Sequence, residues 1–326
     1  MLLAFVGLAG RARAQTVGAD PSAPAARVPR QAPSSPSPDR EPLSQAWFTG
    51  PMLTPGAGTL PRGHYLIEPY LYDVAAAHSN GYGSFTYLLY GLTDRFTVGL
   101  TPNGGYTRVR NGRSTSGLEM GDLSLQASIG LTQFHPGSWV PTVSALVEET
   151  FPTGHYDHLG NRPSDGYGSG AYTTTFGLYS QTYFWLPNGR LLRQRFNFTQ
   201  AFSTGASVTG VSVYGTGDGF SGRAQPGASS YFDTSCEYSL TERWVWALDA
   251  TYRHTLNTTV RGVDLLLPAH PPLRLDSGSS DSFAFAPGLE YNWSSRWGVL
   301  FALRIIPASH NTTPSLTPAL AINFVH

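Results

Sequence analysis

The sequence predicts an all-β protein: a transmembrane, antiparallel, up-and-down β-barrel of about 12 strands, with short periplasmic turns and longer extracellular loops. Three observations predict it. Long segments alternate between apolar and small or polar residues, and short turns alternate with long loops rich in Gly, Ser and Asn. Charged residues make up only 13% of the 326 residues, about half the usual share of a soluble domain.

The alternation is clearest near the C-terminus. Successive strand side chains point to opposite faces, so Trp297, Val299, Phe301, Leu303 and Ile305 share one face and Gly298, Ala302 and Arg304 the other. Segments of this kind are expected near 62–74, 82–92, 95–104, 119–133, 139–151, 170–185, 191–204, 228–240, 243–256, 281–293, 296–307 and 314–325. Most reach ten residues, where soluble strands run to ~5–6 and a tilted membrane-crossing strand needs ~9–11. Residues 103–117, 153–168, 207–225 and 257–280 read as the long loops.

Composition decides which face is wet. The less apolar face is Gly, Ala, Ser and Thr with sparse charge, whereas the outer face of a soluble protein carries many Lys, Glu and Asp. The apolar face is therefore expected to meet lipid and the other a polar lumen, in the outer membrane of a Gram-negative-type bacterium. The alternative is a secreted soluble β protein, whose apolar face would turn inward.

One phrase recurs: "YGLTDRFTVGL" at 90, "YSLTERWVWAL" at 238 and "YNWSSRWGVLF" at 291. Each reads as strand, tight turn, strand, with "TDR", "TER" or "SSR" as the turn. With both termini periplasmic, the three are periplasmic hairpins. Tyr90, Phe96, Tyr238, Trp244, Trp246, Tyr291, Trp293 and Trp297 then form an aromatic girdle at that interface.

At the N-terminus, "LLAFVGLAG" followed by "ARAQ" reads as a secretory signal over 1–14, cut before Gln15. It lacks a basic n-region, which points to a start a few residues upstream. Residues 15–45, rich in Pro, Ser and Ala, read as a disordered linker, and 46–326 as the barrel. All 21 basic residues are Arg and balance 21 acids, with no basic patch to serve nucleic acid. The single cysteine, Cys236, excludes an intramolecular disulfide and is expected to face lipid.

The same parity places Glu68, Asp122, Glu148, Asp233, Glu237, Asp249 and Glu290 in the lumen, with Arg193, Arg195, Arg253 and Arg304. Mixed signs allow either a selective constriction or a network that pairs across a narrow barrel. For Arg193 and Arg195 these readings become an anion-attracting ladder or salt bridges. His155 and His158, in "GHYDH", read as a polar surface loop; no metal or cofactor is assigned. "NGGYTRVRNGR", with Arg108, Arg110 and Arg113, is a loop that could meet lipopolysaccharide. A lipid-facing hydrolase would need Ser and His to meet on the outer face; His254 has the right parity, but no serine partner stands out. No catalytic residues are assigned and the chain reads as a non-enzyme.

Three segments carry a family resemblance: "AWFTGPMLTPGAGTLPRGHYLIEPYLYD" (46–73), "YGLTDRFTVGL" (90–100) and "VPTVSALVEETFPTGHYD" (140–157). They resemble the bacterial outer-membrane proteins assigned to transport in the meta-pathway of phenol degradation. The resemblance implies a monomeric barrel for uptake of aromatic or other hydrophobic compounds and brings no catalytic residues. The chain departs from many such barrels by ending "NFVH", so Phe324 would stand in for a terminal aromatic read by the barrel assembly machinery.

The expected function is passive passage of a small, aromatic or hydrophobic solute, by diffusion through the lumen or lateral exit between strands. The alternative is a structural or surface-interaction barrel with a closed lumen; the third is an outer-membrane lipid hydrolase. Expected surroundings are outer-membrane lipid and lipopolysaccharide. Residues 46–61 discriminate: folded inward, they favour the closed lumen.

Overall fold

The computed structural model describes residues 40–326, so the expected signal peptide (1–14) and most of the expected linker (15–39) lie outside the described residues. The strands are β1 (Tyr65–Ala75), β2 (Ser79–Thr93), β3 (Phe96–Thr101), β4 (Asn103–Val109), β5 (Glu119–Met120), β6 (Leu123–Thr132), β7 (Thr142–Phe151), β8 (Thr173–Trp185) and β9 (Leu191–Ser203). They continue with β10 (Ala206–Thr209), β11 (Phe220–Gln225), β12 (Ser229–Ser239), β13 (Trp244–Thr255), β14 (Thr259–Asp264), β15 (Pro272–Asp276), β16 (Ser280–Asn292), β17 (Trp297–Ile306) and β18 (Ser315–Val325).

Twelve of these units build one antiparallel wall: β1, β2, β3 with β4, β6, β7, β8, β9, β12, β13, β16, β17 and β18. Because β1 pairs with both β2 and β18, the wall closes and leaves no edge. The break between β3 and β4 falls at Pro102, which has no N–H to give a ladder. Pairing with β2 resumes at Asn103, so this strand runs on to Val109, past its expected end at 104.

Burial alternates with the sequence. On β13, Trp244 and Trp246 are exposed while Val245, Ala247 and Asp249 are buried. On β16, Phe283, Phe285 and Leu289 are exposed while Ala284, Ala286 and Glu290 are buried. A closed barrel with its large apolar side chains outside and its charges inside inverts the soluble pattern. Lipid is the solvent that accommodates this belt, and the protein is an outer-membrane β-barrel.

The recurring phrase owes its turn to its fourth residue. The hydroxyls of Thr93, Thr241 and Ser294 accept the N–H groups of Arg95, Arg243 and Arg296 at 3.3, 3.2 and 3.2 Å. This local bond closes the turn without the ladder, and all three arginines are left exposed.

Two expectations need correction. Residues 207–225 and 257–280 are more than loops: they extend two wall hairpins into a second sheet, β10–β11–β14–β15, at the long-loop end. Val208, Phe220, Ala224 and Val260 bury against Tyr156, Tyr214, Leu273 and Leu275, an apolar face that the Gly-rich composition masks. At the other end, residues 40–45 are ordered. Glu41 pairs with Arg190 at 3.1 Å, and its carbonyl accepts the Trp185 indole N–H at 2.8 Å. A charge partner and an indole donor hold what composition alone reads as linker.

If the exposed face lies in hydrocarbon, Phe301→Arg, midway along β17, costs about 2–4 kcal/mol of stability. Unfolding by urea in lipid vesicles measures it; a loss under about 1 kcal/mol would place this face outside the bilayer core.

Candidate functional site

Residues 46–61 do not join the wall. They enter the lumen from the short-turn end, cross it and return. Such a segment, "AWFTGPMLTPGAGTLP", forms no ladder of its own, so its buried N–H and C=O groups need partners from the wall. Charged and polar side chains of the lumen provide them.

The Glu290 carboxylate accepts the N–H of Thr49 at 2.7 Å and of Gly50 at 3.1 Å. Asp249 accepts those of Met52 and Leu53 at 3.0 and 3.3 Å. Arg195 donates to the Thr54 carbonyl at 2.6 Å, and Asn197 to that of Pro55 at 3.0 Å. On the way in, Asn292 donates to the Trp47 carbonyl at 3.0 Å; on the way out, Thr97 accepts the Leu60 N–H at 2.8 Å. The segment is a plug held by its main chain.

The recurring phrase is also a docking ring for the plug and for residues 40–45 that lead into it. Its second residue, pointing inward at the rim, is Gly91, Ser239 or Asn292. Ser239 donates to Glu41 at 2.9 Å, and Asn292 accepts the Thr49 hydroxyl at 2.9 Å. At Gly91 a Cβ would lie 2.1 Å from the Pro61 carbonyl oxygen, so only glycine lets the plug pass. Gly298, in the third copy, has the same role: a Cβ there would meet Thr49 Oγ1 at 2.0 Å.

Beside these contacts lies a buried ion cluster. Arg193 makes a two-pronged pair with Glu237, Nε donating at 2.6 Å, and lies 4.3 Å over the Phe48 ring of the plug. Arg195 Nε stands 3.2 Å from the same carboxylate. Both arginines are therefore paired with an acid on the wall, and an anion ladder is not what this geometry makes.

The other expected lumen residues divide by depth. Glu68, Asp233, Glu237, Asp249 and Glu290 are buried; Glu68 accepts from Asn323 at 3.2 Å and Asp233 from Asn197 at 2.9 Å. Glu148 and Arg304 are half-buried, and Arg253 is exposed, its guanidinium 4.6 Å over Tyr231. Asp122 belongs instead to the rim: preceding β6, it accepts the N–H groups of Gly154 and Ser169 at 2.9 and 2.8 Å and clamps the 153–168 loop. His155 and His158 in that loop carry exposed side chains.

In the girdle, Tyr90, Trp244, Trp246, Trp293 and Trp297 are exposed. Phe96, Tyr238 and Tyr291 are half-buried, with Tyr291 packed 4.6 Å from Trp244. Cys236 is half-buried on the outer face, its thiol 2.7 Å from Gln194 Oε1.

The expected lumen residues are all charged and include no aromatic, yet aromatics line the lumen. Tyr70 is buried inside, stacked on Phe85 at 4.5 Å, with Tyr87 at 6.2 Å and Tyr72 6.0 Å from Phe85. The signal was available, since Glu68, Tyr70 and Tyr72 share one parity. This ladder ends at a cavity of about 240 Å³ between the plug and the wall, lined also by Glu68, Glu148, Tyr179 and Arg195. A second cavity, about 450 Å³, lies nearer the short turns beside Phe48, Asp94, Phe134 and Tyr183. Gly58 borders both.

Two substitutions separate the cluster from the plug. Glu237→Ala strands two buried arginines and lowers stability by about 3–5 kcal/mol in urea unfolding; a loss under about 1 kcal/mol would mean the cluster is hydrated. Gly298→Val leaves the barrel's circular dichroism unchanged but accelerates amide exchange at Thr49 and Gly50 at least tenfold. Unchanged exchange would mean that the plug tolerates the added side chain.

No protein-family model and no curated protein sequence matches the chain. Among solved structures, an outer-membrane channel from Pseudomonas putida F1 superimposes with a TM-score of 0.61 at 14% identity, over 84% of this chain and 100% of that one. A deletion mutant of the monoaromatic hydrocarbon channel TodX matches at 0.42 and 14% identity, over 82% of this chain and 90% of that one. The toluene transporter TbuX of Ralstonia pickettii matches at 0.35 and 12% identity, over 86% and 94%. The last two superpositions are too loose to equate residues. The first establishes the architecture: this chain has the fold of an outer-membrane channel.

Proposed function

We propose that the barrel passes a small aromatic or otherwise hydrophobic solute across the outer membrane, with residues 46–61 as a displaceable plug. The ladder of Tyr72, Phe85, Tyr70 and Tyr87, running down the lumen to the cavity against the plug, carries this reading. Aromatic faces take up an apolar solute by area and ring geometry, and roughly 150 Å³ of apolar cavity already holds benzene. The plug is held by hydrogen bonds, each worth about 1 kcal/mol net. Gly58 borders both cavities and has open space beside it, which makes it the place where a shift of the plug would connect them. Passage is diffusive, and the paired lumen charges position the plug. Lipid and lipopolysaccharide surround the barrel, and the barrel assembly machinery inserts it.

A second reading, a barrel with a closed lumen that works through its surface, is favoured by the inward fold of residues 46–61 and by the sheet at the long-loop end. A reversible lock separates the two. Thr49→Cys with Asn292→Cys, in a Cys236→Ser background, ties plug to wall where their side chains now bond. Proteoliposomes with lipopolysaccharide in the outer leaflet should take up a small phenol when reduced and at least tenfold more slowly when oxidised. Equal uptake in both states means that the solute bypasses the plug. No uptake above protein-free vesicles, even when reduced, selects the closed barrel.

A further inference from the structure

The register of β9, β12, β13 and β16 lines up a row that no single strand reveals. Ser230 stands opposite Gln200 on one side and His254 on the other, and His254 stands opposite Asp281. All four share the outward parity. The row sits one residue in from the long-loop end of β12, β13 and β16; in an outer-membrane barrel with short periplasmic turns this is the end nearest the outer-leaflet interface. Directly beneath it runs a second outward row, Phe198, Phe232, Tyr252 and Phe283. Its ring pairs are 4.6 Å apart for Phe198–Phe232 and 4.8 Å for Tyr252–Phe283. Polar groups above and aromatic groups below match an amphipath seated at that interface, head up and chains down.

The upper row has an order that chemistry recognises. His254 Nδ1 lies 2.8 Å from Asp281 Oδ1, and the Tyr252 hydroxyl donates to the same oxygen at 2.8 Å. A carboxylate on Nδ1 favours the tautomer with its proton there and leaves Nε2 free as a base. On the far side of the imidazole is a serine whose hydroxyl now donates to Gln200 Oε1 at 2.6 Å. Opposite residues in an antiparallel pair have Cβ atoms about 4.5–5.5 Å apart. A rotation about χ1 would swing the Ser230 hydroxyl from Gln200 toward His254, with Gln200 as its neighbour on the other side.

We propose that Ser230, His254 and Asp281 form a lipid-facing acyl-ester hydrolase site on the outer wall, independent of the lumen. The Ser230 oxygen bonds to the ester carbonyl carbon of an outer-leaflet lipid as its proton passes to His254 Nε2. The Gln200 Nε2, which now donates to the Ser229 carbonyl at 3.2 Å, turns to donate to the developing oxyanion. The carbonyl–alkoxy bond then breaks, and the leaving alcohol takes the proton from His254. Water, deprotonated by the same imidazole, attacks the acyl-serine and releases the fatty acid and free Ser230. Asp281 holds the imidazole in register and stabilises its protonated form.

The test uses the refolded full chain, shown to be folded by its heat-modifiable gel mobility. A fluorophosphonate probe should form one adduct, on Ser230 by mass spectrometry, and none with Ser230→Ala. In mixed micelles, fatty acid should be released from phosphatidylethanolamine or from lipid A, and the two arms identify the source of the ester. Ser230→Ala should abolish release, and His254→Asn should lower it by about 10²–10⁴. Asp281→Asn should lower it at least tenfold. All these side chains lie on the outer face and none touches the plug, so folding is expected to survive. No adduct on the folded protein, no release from either lipid, or release that survives Ser230→Ala would each overturn the proposal and leave the row as a polar contact for lipid headgroups.

Discussion

The interior is governed by the need to satisfy irregular backbone where water is scarce. A barrel wall meets the demand by closing its own ladder. The plug cannot, because Pro51, Pro55, Gly50, Gly56 and Gly58 keep it out of any regular element. Its main-chain groups must find partners, and Asp249, Glu290, Arg195, Asn197 and Asn292 are those partners. Three of the lumen's charges, Asp249, Glu290 and Arg195, are thereby committed to holding the plug. Mixed signs follow, because N–H groups need acceptors and carbonyls need donors.

The repeated phrase shows one sequence motif meeting two demands. Its hydroxyl at the fourth position makes the turn and its aromatics anchor the interface, so these positions stay nearly constant. Its second position faces the inward-folded segment 40–61 and varies with what that segment presents there. A carboxylate meets Ser239, a carbonyl and a hydroxyl meet Asn292, and a close main-chain approach meets Gly91. The constant part concerns the membrane and the variable part the lumen.

Parity makes much of this legible in the sequence. A period of two separates lumen from lipid wherever a strand is long and unbroken, so alternation alone assigns Glu237, Asp249 and Glu290 inward and Trp244 and Trp297 outward. Asp122 lies just outside a strand, where parity no longer governs, and it is a rim clamp. The inward aromatics of β1 and β2 are overlooked when only charged residues are sought in the lumen: Tyr70 shares the parity of Glu68, and that parity is the better guide. The second sheet is hidden because short pieces such as Ala206–Thr209 bury only a residue or two each, and their face exists only once four of them pair. The partners of the plug are illegible for a related reason. They are main-chain groups, which carry no side-chain signature.

Cross-strand register is the level of information that the sequence withholds most completely. Ser230, His254 and Asp281 have the right parity for the outer face, as do many other residues. Only the pairing of β12 with β13 and of β13 with β16 brings them into one row. A slip of one residue would turn a strand's side chains to the other face, and a slip of two would set His254 beside the wrong neighbours. Register in turn depends on the turns that join the strands, where the Thr241 hydroxyl fixes the short hairpin between β12 and β13. The same local bond that makes the recurring phrase a turn therefore also sets, across the thickness of the membrane, which outward side chains meet at the far rim.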